Sequence, residues 1–348
     1  MPLTQEIRWP MENIIKLRNL STEFKVGKRY NRIVKNVSLD VKKGQILSIV
    51  GESGCGKSVT VNSMVKLLPK AARIKSGKSE FFKENGETVD ILKEKAYGKK
   101  MRTIRGKEIG MIFQDPMQSL NPVYTVGDQI IENILEHRKI SKKEAREIGI
   151  EMLRKLGIPE PESRFDNYPH QFSGGMKQRA MIAIAMVNNP NLLIADEPTT
   201  ALDVTIQAQI MDLMKDLRDK EGKSVILITH NMGLVAEVAD QVAVMYMGRV
   251  IEYGEVGDVF NNPTHPYTKL LLKSVPVPGM DRDRKLSTIP GETPDPANYV
   301  KGCEFANRCA FASGKCLERD IPLFRVEGSH TARCLLLEGK KEVIDENR

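Results

Sequence analysis

The sequence Gly-Glu-Ser-Gly-Cys-Gly-Lys-Ser at positions 51–58 is the most informative motif of this chain. It matches the pattern Gly-x4-Gly-Lys-[Ser/Thr], in which the glycines let successive backbone N–H groups surround a polyphosphate. The apolar residues 45–50 before it suit a buried strand, and residues 57–68 after it have the spacing of a helix. Strand, glycine loop and helix together predict a nucleotide site, with Lys57 at the phosphates and Ser58 at Mg²⁺.

The residues of this loop are the expected contacts of the nucleotide. Their backbone N–H groups and the N-terminus of the following helix provide positive potential for the phosphates. The expected phosphate-binding residues are Gly51, Glu52, Ser53, Gly54, Cys55, Gly56, Lys57, Ser58 and Val59. Upstream, Phe24 or Tyr30 could offer a face on which a purine stacks; the alternative is that these rings belong to the core.

Composition and charge exclude several classes of protein. The 348 residues are 41% hydrophobic and 28% charged, which is ordinary for a globular chain with room for a large domain and a smaller one. No run reaches the about 18 apolar residues of a membrane-spanning helix, and the N-terminus lacks the apolar centre of a secretory signal, so we expect a cytosolic chain. The net charge is +8, but the lysines and arginines are interleaved with 45 acidic residues instead of forming one block. This distribution favours a solvated surface. We therefore expect no nucleic-acid partner.

Short apolar runs alternate with helical segments through the middle of the chain. The runs occupy residues 45–50, 109–113, 192–196 and 224–229. Buried strands that alternate with helices are typical of a mostly parallel sheet with both faces covered. We therefore predict an α/β core.

Other segments predict additions to this core. Residues 14–24 and 34–41 have β character and predict a small antiparallel layer. Residues 70–108 are rich in lysine and weakly patterned, which suits a surface excursion. Between about 115 and 187 the signals are helical, with a capping box at residues 141–144, and they predict an all-helical insert.

Polar residues follow the ends of the predicted strands. They are Gln114, Asp196, Glu197 and His230. Because ligands of a parallel sheet bind at the carboxyl ends of its strands, we expect these side chains to surround the nucleotide. Asp196 would bind Mg²⁺ together with Ser58, and Glu197 would activate the attacking water as general base. His230 would contact the γ-phosphate and hold Glu197 in line, and Gln114 would contact both the metal and the γ-phosphate.

A second anion site is predicted at Ser173, Gly174 and Gly175, which begin a long helix reaching about residue 187. This site follows the helical insert and therefore need not face the phosphate loop of its own chain. Further along, Asp203 is expected to cap another helix.

In this order, the motifs resemble those of the nucleotide-binding subunit of an ABC transporter. The family's motifs fall at 51–58 (Walker A), Gln114 (Q-loop), 173–178 (signature), 192–197 (Walker B), 201–203 (D-loop) and His230 (H-loop). The signature departs from its commonest form at Phe172 and Met176, where the family has Leu and Gln, but its Ser-Gly-Gly core is intact. The resemblance implies a P-loop NTPase (RecA-like) core with an antiparallel β layer and the helical subdomain at about 115–187, within a nucleotide-binding domain of residues 1–260.

The resemblance also implies the partners. Two ATPase subunits would pair head to tail, so that each MgATP lies between one subunit's Walker A and the other's Ser173, Gly174, Gly175 and Asp203. The second ATPase would be a homologous, distinct chain. Two transmembrane permease subunits would receive the motion, and an extracytoplasmic solute-binding protein would take part indirectly. The chain would then lie peripherally on the cytoplasmic face of the cell membrane.

A narrower resemblance lies in residues 114–122, 168–175 and 265–271, which are similar to the oligopeptide/dipeptide importer ATPases. It implies ATP hydrolysis that drives uptake of di- and oligopeptides; nickel and some oligosaccharide importers belong to the same branch. Another class is a non-transport ABC ATPase of DNA repair or translation. The single ATPase unit and the lack of sustained heptads count against it. A non-hydrolysing regulatory subunit is a further class, and Glu197 and His230 argue against it.

The remaining residues, 261–348, are punctuated by prolines and predict a small irregular C-terminal extension. They contain a cluster of cysteines at positions Cys303, Cys309, Cys316 and Cys334. Thiolates in a reducing compartment suggest a metal site, although zinc usually takes more closely spaced pairs. The family resemblance favours a [4Fe-4S] cluster, while zinc and unligated or redox-active thiols remain alternatives. His330 could replace Cys334 as a ligand.

Overall fold

The computed structural model describes residues 12–115, 119–200, 203–275, 288–294 and 301–345. The expectation that the N-terminus carries no secretory signal concerns residues 1–11, which lie outside this part of the chain. Residues 116–118 of the stretch after the Q-loop and residues 201–202 of the D-loop also lie outside it.

Strands and helices alternate through most of the described chain. The strands are β1 (Asn13–Val26), β2 (Arg29–Lys42), β3 (Ile46–Val50), β4 (Ala72–Phe82), β5 (Thr88–Asp90), β6 (Ile109–Ile112), β7 (Leu192–Asp196), β8 (Ser224–Thr229), β9 (Gln241–Tyr246), β10 (Arg249–Glu255), β11 (Leu323–Glu327), β12 (His330–Ala332) and β13 (Val343–Ile344). The α-helices are α1 (Lys57–Met64), α2 (Lys99–Thr103), α3 (Val126–His137), α4 (Lys142–Lys155), α5 (Pro161–Arg164), α6 (Gly174–Met186), α7 (Val204–Asp219), α8 (Met232–Val238), α9 (Val256–Asn261), α10 (Pro266–Lys273) and α11 (Lys315–Glu318). In this part of the chain no helix combines the length and the apolar character needed to cross a bilayer.

The larger sheet has the strand order β13-β11-β12-β10-β9-β3-β8-β7-β6 in the described residues. Its centre is parallel, because β3 pairs with both β8 and β9, and β7 pairs with both β8 and β6. Successive side chains of these strands point to opposite faces: in β8, Leu227 packs with the helical subdomain and Ile228 packs with the antiparallel sheet. The predicted parallel core with two covered faces is confirmed.

The smaller sheet is antiparallel, with the order β2-β1-β4-β5. It contains the two predicted strands and also β4 and β5, which lie within residues 70–108. The prediction that residues 70–108 form a surface excursion is therefore wrong. β4 pairs with β1 from Ile15↔Phe81 to Phe24↔Ala72, and Phe81 is fully buried. The weak sequence pattern of β4 reflects an exposed first half, so the neighbouring strand, rather than a local apolar period, stabilises it.

The helix after the phosphate-binding loop is shorter than predicted, because it ends at Met64 instead of near residue 68. Lys66 has a φ of +55°, which cannot continue a right-handed helix. Its ammonium group donates to the carbonyl oxygens of Leu92 at 2.7 Å and Glu94 at 2.6 Å. These contacts hold the chain in a turn that sequence spacing alone does not indicate.

The predicted helical subdomain is present and follows its capping signals. The Ser141 hydroxyl accepts a bond from the Glu144 N–H, and the Glu144 carboxylate accepts one from the Ser141 N–H, which completes the capping box. Phe165 is buried between α3 and α4, where a Cβ on Gly127 or Gly149 would collide with its ring. This ring therefore joins the two helices.

The C-terminal extension continues the larger sheet, because β12 pairs antiparallel with β10. Its rings also enter the core: Tyr267 and Phe305 are buried against Val50 and Tyr246. The described part of the extension is therefore more regular than the sequence suggested, since strand pairing needs few residues once a sheet edge is available. The division of the chain near residue 260 stays a proposal.

We expect Phe165→Ala to destabilise the protein by about 3–5 kcal/mol, because it removes a buried ring and leaves a cavity between α3 and α4. The midpoint of urea unfolding measures this change. As a control, Tyr97→Ala removes an aromatic ring that is 83% exposed and should change the free energy of unfolding by less than about 0.5 kcal/mol. Equal shifts in the two variants would contradict the assigned role of Phe165.

Candidate active site

The phosphate-binding loop joins β3 to α1 and requires glycine at two of its positions. Gly51 has a φ of +151°, and a Cβ there would lie 2.2 Å from the carbonyl oxygen of Met245. Gly56, with a φ of +99°, is the residue before α1. A side chain at either position would push the loop away from β9 or strain its backbone, so the loop shape depends on these glycines.

Lys57 places a buried ammonium group inside this loop. Its Nζ donates to the carbonyl oxygens of Gly51 at 2.9 Å and Glu52 at 3.0 Å. The side chain is 4% exposed, so its charge is satisfied by loop carbonyls rather than by water. The group lies where the curled loop would receive a polyphosphate, as the sequence predicts.

Ser58 and Asp196 meet at the ends of α1 and β7. The Ser58 hydroxyl donates to Asp196 Oδ1 at 2.9 Å. Burial raises the pKa of Asp196, and the neighbouring carboxylate of Glu197 also raises it. A hydroxyl and a desolvated carboxylate are the oxygen ligands that Mg²⁺ takes, and a bound cation would offset the desolvation of Asp196. The pair therefore fits the ion, which would supply charge neutralisation to the phosphates when bound.

Glu197 lies at the point where the other predicted residues converge. Its Oε2 accepts a hydrogen bond from the Gln114 amide at 3.0 Å. Its Oε1 lies 3.6 Å from His230 Nδ1 and 3.9 Å from Lys57 Nζ. Gln114, Glu197 and His230 are thus brought together as expected from the strand ends, and the carboxylate is held in place from two sides.

The backbone of Glu197 is itself unusual, with a φ of +45°. Its N–H donates to the carbonyl oxygen of Ile228 at 2.9 Å, which holds the residue against β8. Thr200 also donates to Glu197 Oε2, at 3.2 Å. Thr200 could not be predicted as a contact of Glu197, because nothing in the run Pro198-Thr199-Thr200 distinguishes one threonine from the other.

Ser173, Gly174 and Gly175 line a different cavity, of about 410 Å³, together with Asp203. The Ser173 hydroxyl accepts a bond from the Met176 N–H and caps α6, and Asp203 Oδ1 accepts one from the Ile206 N–H and caps α7. Residues 51–58, all of which the structure describes, do not line this cavity. The predicted second anion site therefore lies in a cavity apart from the phosphate-binding loop, as expected if it need not face that loop of its own chain.

The two aromatic candidates for purine stacking lie on adjacent antiparallel strands. Phe24 is half-buried in β1. Tyr30 is 42% exposed, and the Arg73 guanidinium covers its ring at 3.5 Å from the centroid. Which of the two rings would stack on a base stays a prediction.

The cysteines of the extension come together in space. A single cavity of about 170 Å³ is lined by Cys303, Cys309, Cys316 and Cys334. Burial raises the pKa of Cys303 to about 12, and it also raises the pKa of Cys309 and Cys334. Without a cation these thiols stay protonated at neutral pH, so metal binding would have to release their protons.

The four cysteines line the same cavity, but their side chains are not arranged to bind one metal ion. Within the described ranges, no group of three or more His, Cys, Asp or Glu side chains is placed to hold a metal ion. His330, the alternative to Cys334, is engaged elsewhere, because its Nε2 lies 2.8 Å from Oε1 of the buried Glu252. Cysteine sulfur is a donor that thiophilic metals prefer, so the type of ligand fits a metal site. The His330 side chain instead contacts Glu252 of β10.

We expect Glu197→Gln to lower ATP hydrolysis at least about 100-fold, because an amide cannot take a proton from the attacking water. Phosphate release from the full chain with MgATP measures the rate, and a fluorescent ATP analogue should bind with unchanged affinity. Glu237→Gln is the control, since Glu237 is exposed and paired with Lys215 on another surface. Unchanged hydrolysis in Glu197→Gln would refute the assignment of the base.

Comparison with known families adds to this geometry. Residues 34–200 match the family model "ABC transporter", and residues 251–316 match "Oligopeptide/dipeptide transporter, C-terminal region". Among solved structures, a dimeric, post-hydrolysis form of the ATP-binding cassette MJ0796 bound to ADP and Pi is similar, with a TM-score of 0.61 and 30% identity. The similarity covers 70% of this chain and 98% of the cassette.

Curated relatives extend the match over nearly the whole chain. The dipeptide transport ATP-binding protein DppD of Bacillus subtilis is 48% identical over 334 residues, which cover 95% of this chain and 97% of DppD. The oligopeptide transport ATP-binding protein OppD of the same organism is 47% identical over 325 residues, which cover 93% and 89% of the two chains. The predicted family and the predicted ATPase activity are confirmed. The chain belongs to the ATP-hydrolysing subunits of ABC transporters, in the branch that carries the oligopeptide/dipeptide transporter C-terminal region.

Proposed function

We propose that ATP hydrolysis by this chain drives the uptake of di- and oligopeptides across the cytoplasmic membrane. The observation that carries this proposal is the match of residues 251–316 to the C-terminal region of oligopeptide/dipeptide transporters. Relatives named for dipeptide and oligopeptide transport, similar over almost their full length, support it further. The chain would act on the cytoplasmic face of the membrane, below its permease subunits.

The proposed mechanism uses two ATPase subunits arranged head to tail. The separation of the Ser173 cavity from the phosphate-binding loop supports this arrangement, because one chain alone leaves the two anion sites apart. Each MgATP would lie between Lys57 and Ser58 of one subunit and Ser173 of the other. Asp196 and Gln114 would complete the magnesium site, and Glu197 with His230 would direct water at the γ-phosphate. The second subunit is proposed to be a homologous, distinct chain.

A groove beside Gln114 is the proposed contact with a permease subunit. It lies between the edge strand β6 and the helical subdomain and has a volume of about 220 Å³. Its lining is mostly apolar, with Leu67, Met111 and Ile184 among its residues, and it also includes Arg105 and Asn133. Phe113, which directly precedes Gln114, also lines it and is 41% exposed. If Gln114 moved when the γ-phosphate bound or left, the adjacent Phe113 would transmit that movement to a permease helix bound in this groove.

The test is purification of the tagged chain with its partners from the membrane in mild detergent. We expect two permease chains, a second ATPase chain and bound peptides, identified by mass spectrometry. Phe113→Asp should remove the permease chains, because it places a charge in the apolar groove, while ATP hydrolysis by the isolated chain changes little. Val343→Asp, at an exposed apolar residue of β13, is the control that should keep the complex. Recovery without permease chains, or with nickel in place of peptides, would contradict the proposal.

The cysteine cavity is proposed to hold a [4Fe-4S] cluster. Four thiols lining a single cavity supply the ligand number and type of such a cluster. The segments that carry Cys303, Cys309 and Cys316 would close on it, since the described side chains are not already placed to hold a metal ion. The cluster would then join the ends of the extension in place of a larger apolar core.

Anaerobic purification tests this assignment without reference to transport. We expect about four iron atoms and four sulfides per chain, a brown colour and a broad visible absorbance. Cys316→Ser should lose most of the iron. Cys55→Ser, at the buried cysteine of the phosphate-binding loop, should retain it. A colourless, iron-free protein prepared in this way would remove the cluster from the proposal, and zinc in its place would assign the cavity to zinc.

A further inference from the structure

The C-terminal extension touches the phosphate-binding loop through an ion pair between Arg308 and Glu52. The two residues are 256 positions apart in the chain. The Arg308 guanidinium donates to Glu52 Oε2 at 2.7 Å and to Glu52 Oε1 at 3.1 Å. A bidentate pair of this kind fixes both the distance and the orientation of the two groups. The second residue of the loop is therefore held from outside the ATPase core.

Residues outside the phosphate-binding loop also fix the Arg308 side chain. It is 9% exposed, and its Nε donates to the carbonyl oxygen of Pro290 at 2.8 Å. The two terminal nitrogens also donate to the Tyr246 hydroxyl and to the carbonyl oxygen of Gly291, each at 3.2 Å. All of its N–H groups thus have acceptors in a fork that a lysine cannot reproduce.

The backbone of Glu52 is engaged as fully as its side chain. Its N–H donates to the hydroxyl oxygen of Tyr267 at 2.9 Å, and Tyr267 is a buried residue of α10. Its carbonyl oxygen accepts the hydrogen bond from Lys57 Nζ. One loop residue therefore links the extension, through Arg308 and Tyr267, to the lysine that faces the phosphates.

We propose that Arg308 is a positioning residue for nucleotide binding: through Glu52 it holds the phosphate-binding loop, and with it Lys57, in the form that receives the triphosphate. The pair also has an electrostatic role. Glu52 is a carboxylate beside a site for a highly negative ligand, and its side chain is only 24% exposed. Neutralised by Arg308, it does not repel the phosphates; left unpaired, it would. The extension is in this sense a part of the ATP site.

Steady-state kinetics of the full chain test the proposal, with KM for MgATP and kcat measured separately. We expect Arg308→Met to raise KM about tenfold, the effect of losing one charge-assisted hydrogen bond. We expect kcat to change less than about threefold, because Glu197 and Asp196 are untouched. In the double variant with Glu52→Gln, the loss of Arg308 should raise KM less than about threefold relative to Glu52→Gln alone, since the unpaired carboxylate is gone.

Two further variants separate positioning from general stability. Arg325→Met removes another arginine of the extension, which pairs with Glu342 at 3.4 Å on the surface, and it should leave KM unchanged. Arg308→Lys keeps the charge and serves if Arg308→Met does not accumulate as folded protein; it should still raise KM several-fold, because an ammonium group cannot replace the fork. An unchanged KM in the Arg308 variants, or equal effects of Arg308→Met with and without Glu52→Gln, would overturn the proposal.

Discussion

The parallel register of β3, β8 and β7 is the constraint on which the active site depends. Val50 at the end of β3 pairs with Thr229, and Asp196 at the end of β7 pairs with Ile228. The three strands therefore end at one level, and the residues that follow them meet although the sequence separates them widely. Because side chains alternate along a strand, a slip of one residue would turn Asp196 towards the opposite face.

The charges at this edge explain why it suits a magnesium nucleotide. Lys57 provides a buried cation that donates to the loop carbonyl oxygens, while Asp196 and Glu197 provide adjacent carboxylates. Hydrogen bonds donated by Ser58 to Asp196, and by Gln114 and Thr200 to Glu197, hold the carboxylates in place. Polyphosphate and Mg²⁺ add charges of both signs to such a site, so each incoming group finds an opposite partner. The left-handed backbone of Glu197 is tolerated because β8 holds it by a hydrogen bond.

The C-terminal extension contacts the ATPase core at several points. It adds strands to the same sheet through β12, buries Tyr267 and Phe305 against Val50, and reaches Glu52 through Arg308. Its cysteine cavity is lined by the next residue along, since Cys309 follows Arg308 directly in the chain. The segment that pairs with the phosphate-binding loop therefore also carries a residue of the cysteine cavity.

Features that depend on neighbouring residues could be predicted from the amino-acid sequence alone. The phosphate-binding loop, the strand-end residues Asp196, Glu197 and His230, and the capping residues Ser141, Ser173 and Asp203 could all be predicted, because backbone conformation and local hydrogen bonds fix them within a few positions. The role of β4, the contact of Thr200 and the pairing of Arg308 with Glu52 emerge only from the three-dimensional packing. Their stability comes from partners far along the chain, and a contact across 256 residues leaves no periodic or local signal in the sequence.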